Sequence, residues 1–246
     1  MEITTGNWTV SGEGRNLPVF VARPLGDGQH PAVMVVMEAF GLNAHIKKVA
    51  ERIAAEGYVV AAPDLYYREG SPVVGYDNLP EALRLMFGLS DDKILKDVDN
   101  VVQRLQADPG VRVDRIGITG FCMGGRVTFL AACNNRAIKA AVPFYGGGIG
   151  SVMQPSDKTP QAPLEYAEQL QAPMLLFFGG KDAFIPSDEV DTIRGRLKDL
   201  GKEAEVVVYP EADHGFFCDE RPSYNQQAAD DAWRRMTDFF ARHLKD

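Results

Sequence analysis

The chain has 246 residues, 45% hydrophobic and 24% charged, with a net charge of -8 at pH 7. That length suits one large α/β domain with a substantial core, so a single domain over residues 1–246 is expected. No cluster of Lys and Arg is long enough to follow a phosphate backbone, no apolar run approaches the ~18 residues of a membrane span, and the start Met1-Glu2-Ile3 lacks the basic flank of a secretion signal. Nucleic acid and membrane are thereby excluded as expected partners, and the cytoplasm is the expected location. The three cysteines, 122, 133 and 218, fit a reducing compartment and show no metal-ligand spacing.

Taken in chain order, Trp8 to Ser11 and Leu17 to Ala22 read as a hairpin turned at Gly12-Glu13-Gly14, expected as an antiparallel edge. Apolar β-rich segments follow at Ala32 to Met37, Tyr58 to Ala62, Arg115 to Thr119, Ile138 to Phe144, Met174 to Phe178 and Glu205 to Tyr209. Their near-continuous apolar character calls for a sheet covered on both faces. Helix-period stripes are visible at Ile46, Val49, Ala50, Ile53 and Ala54, at Ile94, Val98, Val101, Val102 and Leu105, and at Trp233, Met236, Phe239 and Phe240. Gly57, Gly201 and Asp108-Pro109-Gly110 are expected helix stops. The alternation of strand and helix predicts the α/β class: a mostly parallel, twisted sheet with helices on both faces. Residues 66–92, with Leu85, Met86 and Phe87, are long enough to form a short helical lid.

The stretch Ile116 to Gly125 contains Gly120-Phe121-Cys122-Met123-Gly124, a strand running into Gly-x-Cys-x-Gly and then a helix. With 24 Gly and 3 Cys in the chain, chance supplies about 0.03 such matches. The pattern reads as a nucleophile elbow carrying a thiol, in which glycines on either side let strand and helix pass. Cys122 at a helix N-terminus would meet unpaired N–H groups that favour a thiolate and an oxyanion.

A thiol nucleophile needs a base, and the base an orienting acid. The strand from Met174 runs into Gly179-Gly180-Lys181-Asp182, and the strand from Glu205 runs into Asp213-His214-Gly215. Carboxyl ends of parallel strands line one crevice, so Cys122, Asp182 and His214 are expected to meet there. Asp213 is the rival acid, and His30, His45 and His243 are expected to be solvated. Glu38, a carboxylate directly after an apolar strand, needs a partner, and a thiol is one.

These residues resemble the dienelactone hydrolases, the carboxymethylenebutenolidase branch of the α/β-hydrolases. The resemblance covers about Val10 to Leu244 and rests on Met37-Glu38-Ala39-Phe40-Gly41, Ala62-Pro63-Asp64-Leu65-Tyr66, Gly120 to Gly125, Gly179-Gly180-Lys181-Asp182 and His214-Gly215-Phe216. It implies an α/β-hydrolase fold, a Cys122–His214–Asp182 triad, Glu38 in contact with the thiol, and an oxyanion hole of the Ala39 and Met123 N–H groups. No metal or organic cofactor is implied. The implied substrate is a small enol lactone or activated ester, cleaved through a thioester by a monomer or homodimer; a general carboxylesterase without carboxylate recognition is the alternative.

In the resemblance, the family member that acts on dienelactone binds its substrate's carboxylate with two arginines. Arg68 is matched to the first; the second position, four residues after the histidine, holds Cys218, with Arg221 three further on. Tyr145 is expected to line the site. Cys133 is expected to be buried, and Cys218 lies four residues from His214, a spacing that alone makes no metal site.

Overall fold

The computed structural model describes residues 1–245. The chain opens with β1 (Ile3–Ser11) and β2 (Asn16–Pro24), which pair antiparallel from Ile3–Pro24 to Ser11–Asn16. Then follow β3 (His30–Val36), α1 (Ala44–Ala55), β4 (Val59–Pro63), α2 (Leu79–Gly88), α3 (Asp91–Gln106), β5 (Val111–Phe121) and α4 (Met123–Asn134). The last part holds β6 (Ile138–Phe144), β7 (Met174–Gly179), α5 (Ser187–Asp199), β8 (Ala204–Tyr209) and α6 (Gln226–Phe240).

The strands form one eight-stranded sheet in the order β1-β2-β4-β3-β5-β6-β7-β8. β3 to β8 run parallel to their neighbours, and β2 joins β4 antiparallel, so the hairpin forms one edge as its sequence suggested. This is an α/β-hydrolase fold. Burial follows position: every residue of β4 is buried, and all of β3 but His30, whereas β8 at the far edge is mostly half-exposed.

The connections explain where a site arises. β3 to β4 by way of α1 steps one way along the sheet; β4 to β5 by way of α3, and β5 to β6 by way of α4, step the other way. Right-handed crossovers therefore put α1 on one face and α3 and α4 on the opposite face. In agreement, the Arg52 guanidinium of α1 lies 3.9 Å from the Trp233 ring of α6, while α3 packs on α4. The carboxyl ends of β3 and β5 thus open into the crevice where the winding reverses.

Local signals set most helix ends. Asn43 Oδ1 accepts from the Ile46 N–H at 3.1 Å to cap α1, and Glu56 and Gly57 (φ 98°) close it. His45 departs from expectation: it lies in the first turn of α1, 3% exposed, edge-on to Phe121 and Phe217, with Nδ1 3.5 Å from Asp219. It faces the apolar side of the helix with Ile46, and burial there outweighs hydration. No helix among the described residues is long and apolar enough to cross a membrane.

Candidate active site

β5 ends at Phe121, and Cys122 takes φ 55° and ψ -118° before α4 begins. A non-glycine residue there costs about 1–3 kcal/mol, so the surroundings must hold it. They do so by close approach. A Cβ on Gly120 would sit 2.7 Å from Thr128 Oγ1 and 2.6 Å from the Gly124 carbonyl carbon, and one on Gly124 would sit 2.6 Å from the Met37 carbonyl oxygen. The two glycines flanking Cys122 let β5, β3 and α4 meet at van der Waals distance. The Cys122 N–H donates to the Phe144 carbonyl at 3.1 Å, and its own carbonyl accepts from Gly125 and Arg126.

His214 follows β8 and Asp182 follows β7. Asp182 Oδ1 accepts from the Phe184 and Ile185 N–H groups at 2.8 and 3.2 Å, which turns Oδ2 onto His214 Nδ1 at 2.7 Å. Asp213 is exposed and accepts only from the His214 backbone N–H at 2.6 Å. His214 is 7% exposed. Burial favours its neutral form, but the Cys122 charge, hydrogen bonds to Asp182 and Cys122, and the Asp182 charge outweigh it and push the pKa up to about 10.

Cys122, His214, Ala39 and Met123 line one cavity of about 410 Å³. Met123 opens α4, so its N–H is among the donors a helix leaves unpaired. Leu79, Leu83, Met86 and Phe87 of α2 line the cavity, as do Val152 to Gln154, Ser156 to Thr159 and Phe184, whose ring lies edge-on to His214 at 5.2 Å.

Three expected residues take other places. Glu38 is fully buried, but Cys122 is not its hydrogen-bond partner: Oε2 accepts from Tyr76 at 3.0 Å and Oε1 lies 3.7 Å from Arg221 Nη1. A phenol and a guanidinium compensate the carboxylate, while Cys122 lines the same cavity as His214 and raises its pKa. Arg68 lies outside the cavity; its guanidinium donates to both oxygens of Asp97 at 2.7 and 3.0 Å, a buried carboxylate on α3 that also accepts from Tyr67. Tyr145 is wholly buried behind the site, its ring edge-on to His214 at 5.2 Å and its hydroxyl without a hydrogen-bond partner.

Arg221 does reach the cavity wall. Gly215 (φ 78°) makes room: a Cβ there would fall 2.6 Å from the guanidinium carbon of Arg221. Tyr76, which the sequence did not single out, accepts from Asn43 Nδ2 at 3.0 Å and from Cys218 Sγ at 3.2 Å while donating to Glu38. Arg126 and Asp91, also unanticipated, pair in the cavity wall at 2.6 and 2.9 Å. Cys218 groups with His45 and Asp219 rather than His214. Burial pushes its thiol up to about 12. Cys133 is buried in α4.

The dienelactone hydrolase family profile matches residues 17–244. The chain belongs to the dienelactone hydrolase family. A Salmonella typhimurium family member provisionally named carboxymethylenebutenolidase is 40% identical over 243 residues, 98% of this chain and 88% of that one. A Bradyrhizobium protein named, provisionally, a 2-oxo-3-(5-oxofuran-2-ylidene)propanoate lactonase is 35% identical over 234 residues, 94% and 91% of the two chains. The crystal structure of a Klebsiella pneumoniae protein, provisionally a dienelactone hydrolase, superposes with a TM-score of 0.91 at 42% identity, covering 98% of this chain and all of that one.

Proposed function

We propose that this chain hydrolyses lactones or activated carboxylic esters by nucleophilic catalysis at Cys122. The reading is carried by a thiol on a strained turn and a histidine that line the same cavity, with a carboxylate 2.7 Å behind that histidine.

The Cys122 thiolate attacks the carbonyl carbon, and the Ala39 and Met123 N–H groups receive the oxyanion. The His214 imidazolium gives its proton to the departing oxygen, leaving a thioester; neutral His214 then takes a proton from the water that attacks the thioester. Asp182 holds Nδ1 and stabilises the imidazolium without taking its proton. A thiolate is expelled readily from a tetrahedral intermediate whose other leaving group is poor, which favours activated esters and lactones over amides. Arg68 is spent on Asp97, which removes one of the two cations expected to receive a substrate carboxylate and favours broad esterase specificity over strict dienelactone recognition.

The test is intact-protein mass spectrometry after rapid mixing with p-nitrophenyl acetate, beside steady-state rates of Cys122→Ala. The expected result is an acetyl adduct on Cys122 and at least a 1,000-fold loss of kcat/KM in the variant. A variant within tenfold of the wild type would refute the mechanism.

A further inference from the structure

Resting on that hydrolase reading, we infer that the substrates are neutral and carry an extended apolar group, an alkyl chain or an arene on either side of the ester bond, lying beneath α2. Three observations carry this. The cavity, about 410 Å³, falls within the range of roughly 300–1,000 Å³ for pockets that enclose drug-sized ligands; a small lactone would leave much of it to water.

Its walls are apolar far beyond the reacting centre. Leu83 and Met86 of α2 and Val152 line the space, and four of the chain's large exposed apolar side chains, Leu79, Phe87, Met153 and Phe184, stand 37 to 52% exposed on the same cavity. Exposed apolar residues scattered singly need no account, but a cluster rimming one opening does. Continuity with Cys122 and His214 makes a substrate the occupant.

The charges along the walls cancel. Arg126 is held by Asp91 through two hydrogen bonds, and Arg221 faces the buried Glu38. Asp157 and Lys158, of opposite sign, stand exposed on the outer loop. Each guanidinium on the cavity wall thus has a carboxylate beside it, Arg126 hydrogen-bonded to Asp91 and Arg221 3.7 Å from Glu38 with its Nη1 not hydrogen-bonded, so neither stands as a free charge for a substrate carboxylate. Binding must draw on apolar burial, which contributes about threefold or more per methylene when the group enters fully.

The experiment compares kcat/KM for p-nitrophenyl acetate, butyrate, hexanoate and octanoate, for phenyl and 2-naphthyl acetate, and for the p-nitrophenyl half-ester of suberic acid, using the wild type, Cys122→Ala and Leu83→Gln. In the wild type at least one neutral series is expected to rise by about 30-fold or more, with octanoate ahead of the suberate half-ester. The Leu83→Gln variant should lower the octanoate-to-acetate ratio at least tenfold, chiefly through KM.

Flat profiles in both neutral series, or a suberate half-ester turned over tenfold faster than octanoate, overturn the inference while leaving the hydrolase reading intact, provided Cys122→Ala is inactive. Activity that survives in Cys122→Ala overturns both. A flat profile together with a dimer that Phe87→Ser dissociates in sedimentation would assign the apolar rim to a second copy of the chain, and also overturns the inference.

Discussion

Two tyrosines beside the site offer a matched test of how the buried Glu38 carboxylate is tolerated. The Tyr76 hydroxyl is saturated, donating to Glu38 and accepting from Asn43 and Cys218 at 3.0, 3.0 and 3.2 Å. Glu38 is fully buried, its other oxygen has no hydrogen-bond partner, and Arg221 stands 3.7 Å away. Removing the hydroxyl in Tyr76→Phe loses one hydrogen bond to a charged group, worth about 1.5–3 kcal/mol, and leaves the Asn43 amide and Cys218 thiol without their acceptor, adding up to about 1 kcal/mol. The expected loss is about 3 kcal/mol, and for a chain of this size that lowers Tm by about 6–12 °C.

Tyr145 is the counterpart. Its ring is fully buried where that of Tyr76 is only half-buried, its hydroxyl has no hydrogen-bond partner among the described residues, and burial holds its pKa well above the usual phenol value. An unpaired buried hydroxyl is a cost the apolar isostere avoids, so Tyr145→Phe should be neutral or up to about 1 kcal/mol more stable. Urea titration of both variants, with m unchanged, measures the difference. Equal stability of the two variants, or a Tyr145→Phe less stable than Tyr76→Phe, would refute the assignment of Tyr76 as the group that makes Glu38 tolerable.

The pKa of His214, pushed up to about 10, predicts that imidazolium persists well above neutral pH and is lost as pH rises through 10. The basic limb of kcat/KM, which reports the free enzyme, should therefore lie near 10 and move down in Asp182→Asn, which removes one of the charges that raise it; a wild-type limb near 7 contradicts the raised His214 pKa. Arg68→Ala should leave KM for a carboxylated ester within about twofold while lowering stability by about 2–4 kcal/mol, because Asp97, 1% exposed, loses both charge-assisted bonds. A tenfold rise in KM would return Arg68 to the substrate.

What was legible in the sequence was what short-range physics controls. The runs read as strands from Ile138 and Met174 begin at those residues in the structure, and the Gly57 and Gly201 stops have the positive φ values that only a residue without Cβ adopts freely. Of α5 only the Gly201 stop is legible, because the helix buries only Val190, Ile193 and Leu197 among charged residues, too narrow a stripe to stand out. β5 starts at Val111, ahead of the apolar run at Arg115, because a register shift lets His30 pair with Val111 before the regular ladder begins. Arg68 was misplaced for a different reason: its partner Asp97 lies 29 residues away on another element. Tyr76 has partners 33, 38 and 142 residues distant, a set that no local pattern encodes.

One motif acquires a physical role only in three dimensions. Pro63-Asp64-Leu65-Tyr66 contributed to the family resemblance without any stated chemistry. In the fold, Asp64 Oδ1 accepts from the Tyr66 N–H at 2.9 Å and sets the turn after β4. The fully buried Tyr66 hydroxyl then donates to the Ala39 carbonyl at 2.9 Å and lies 3.6 Å from Met123 Sδ. It therefore touches both residues whose N–H groups are proposed to receive the oxyanion, one after β3 and the other at the start of α4. Oriented dipoles contribute to catalysis only when they need no reorganisation as charge develops. A single buried phenol from the neighbouring strand end, not part of the cavity lining, ties these two residues to each other.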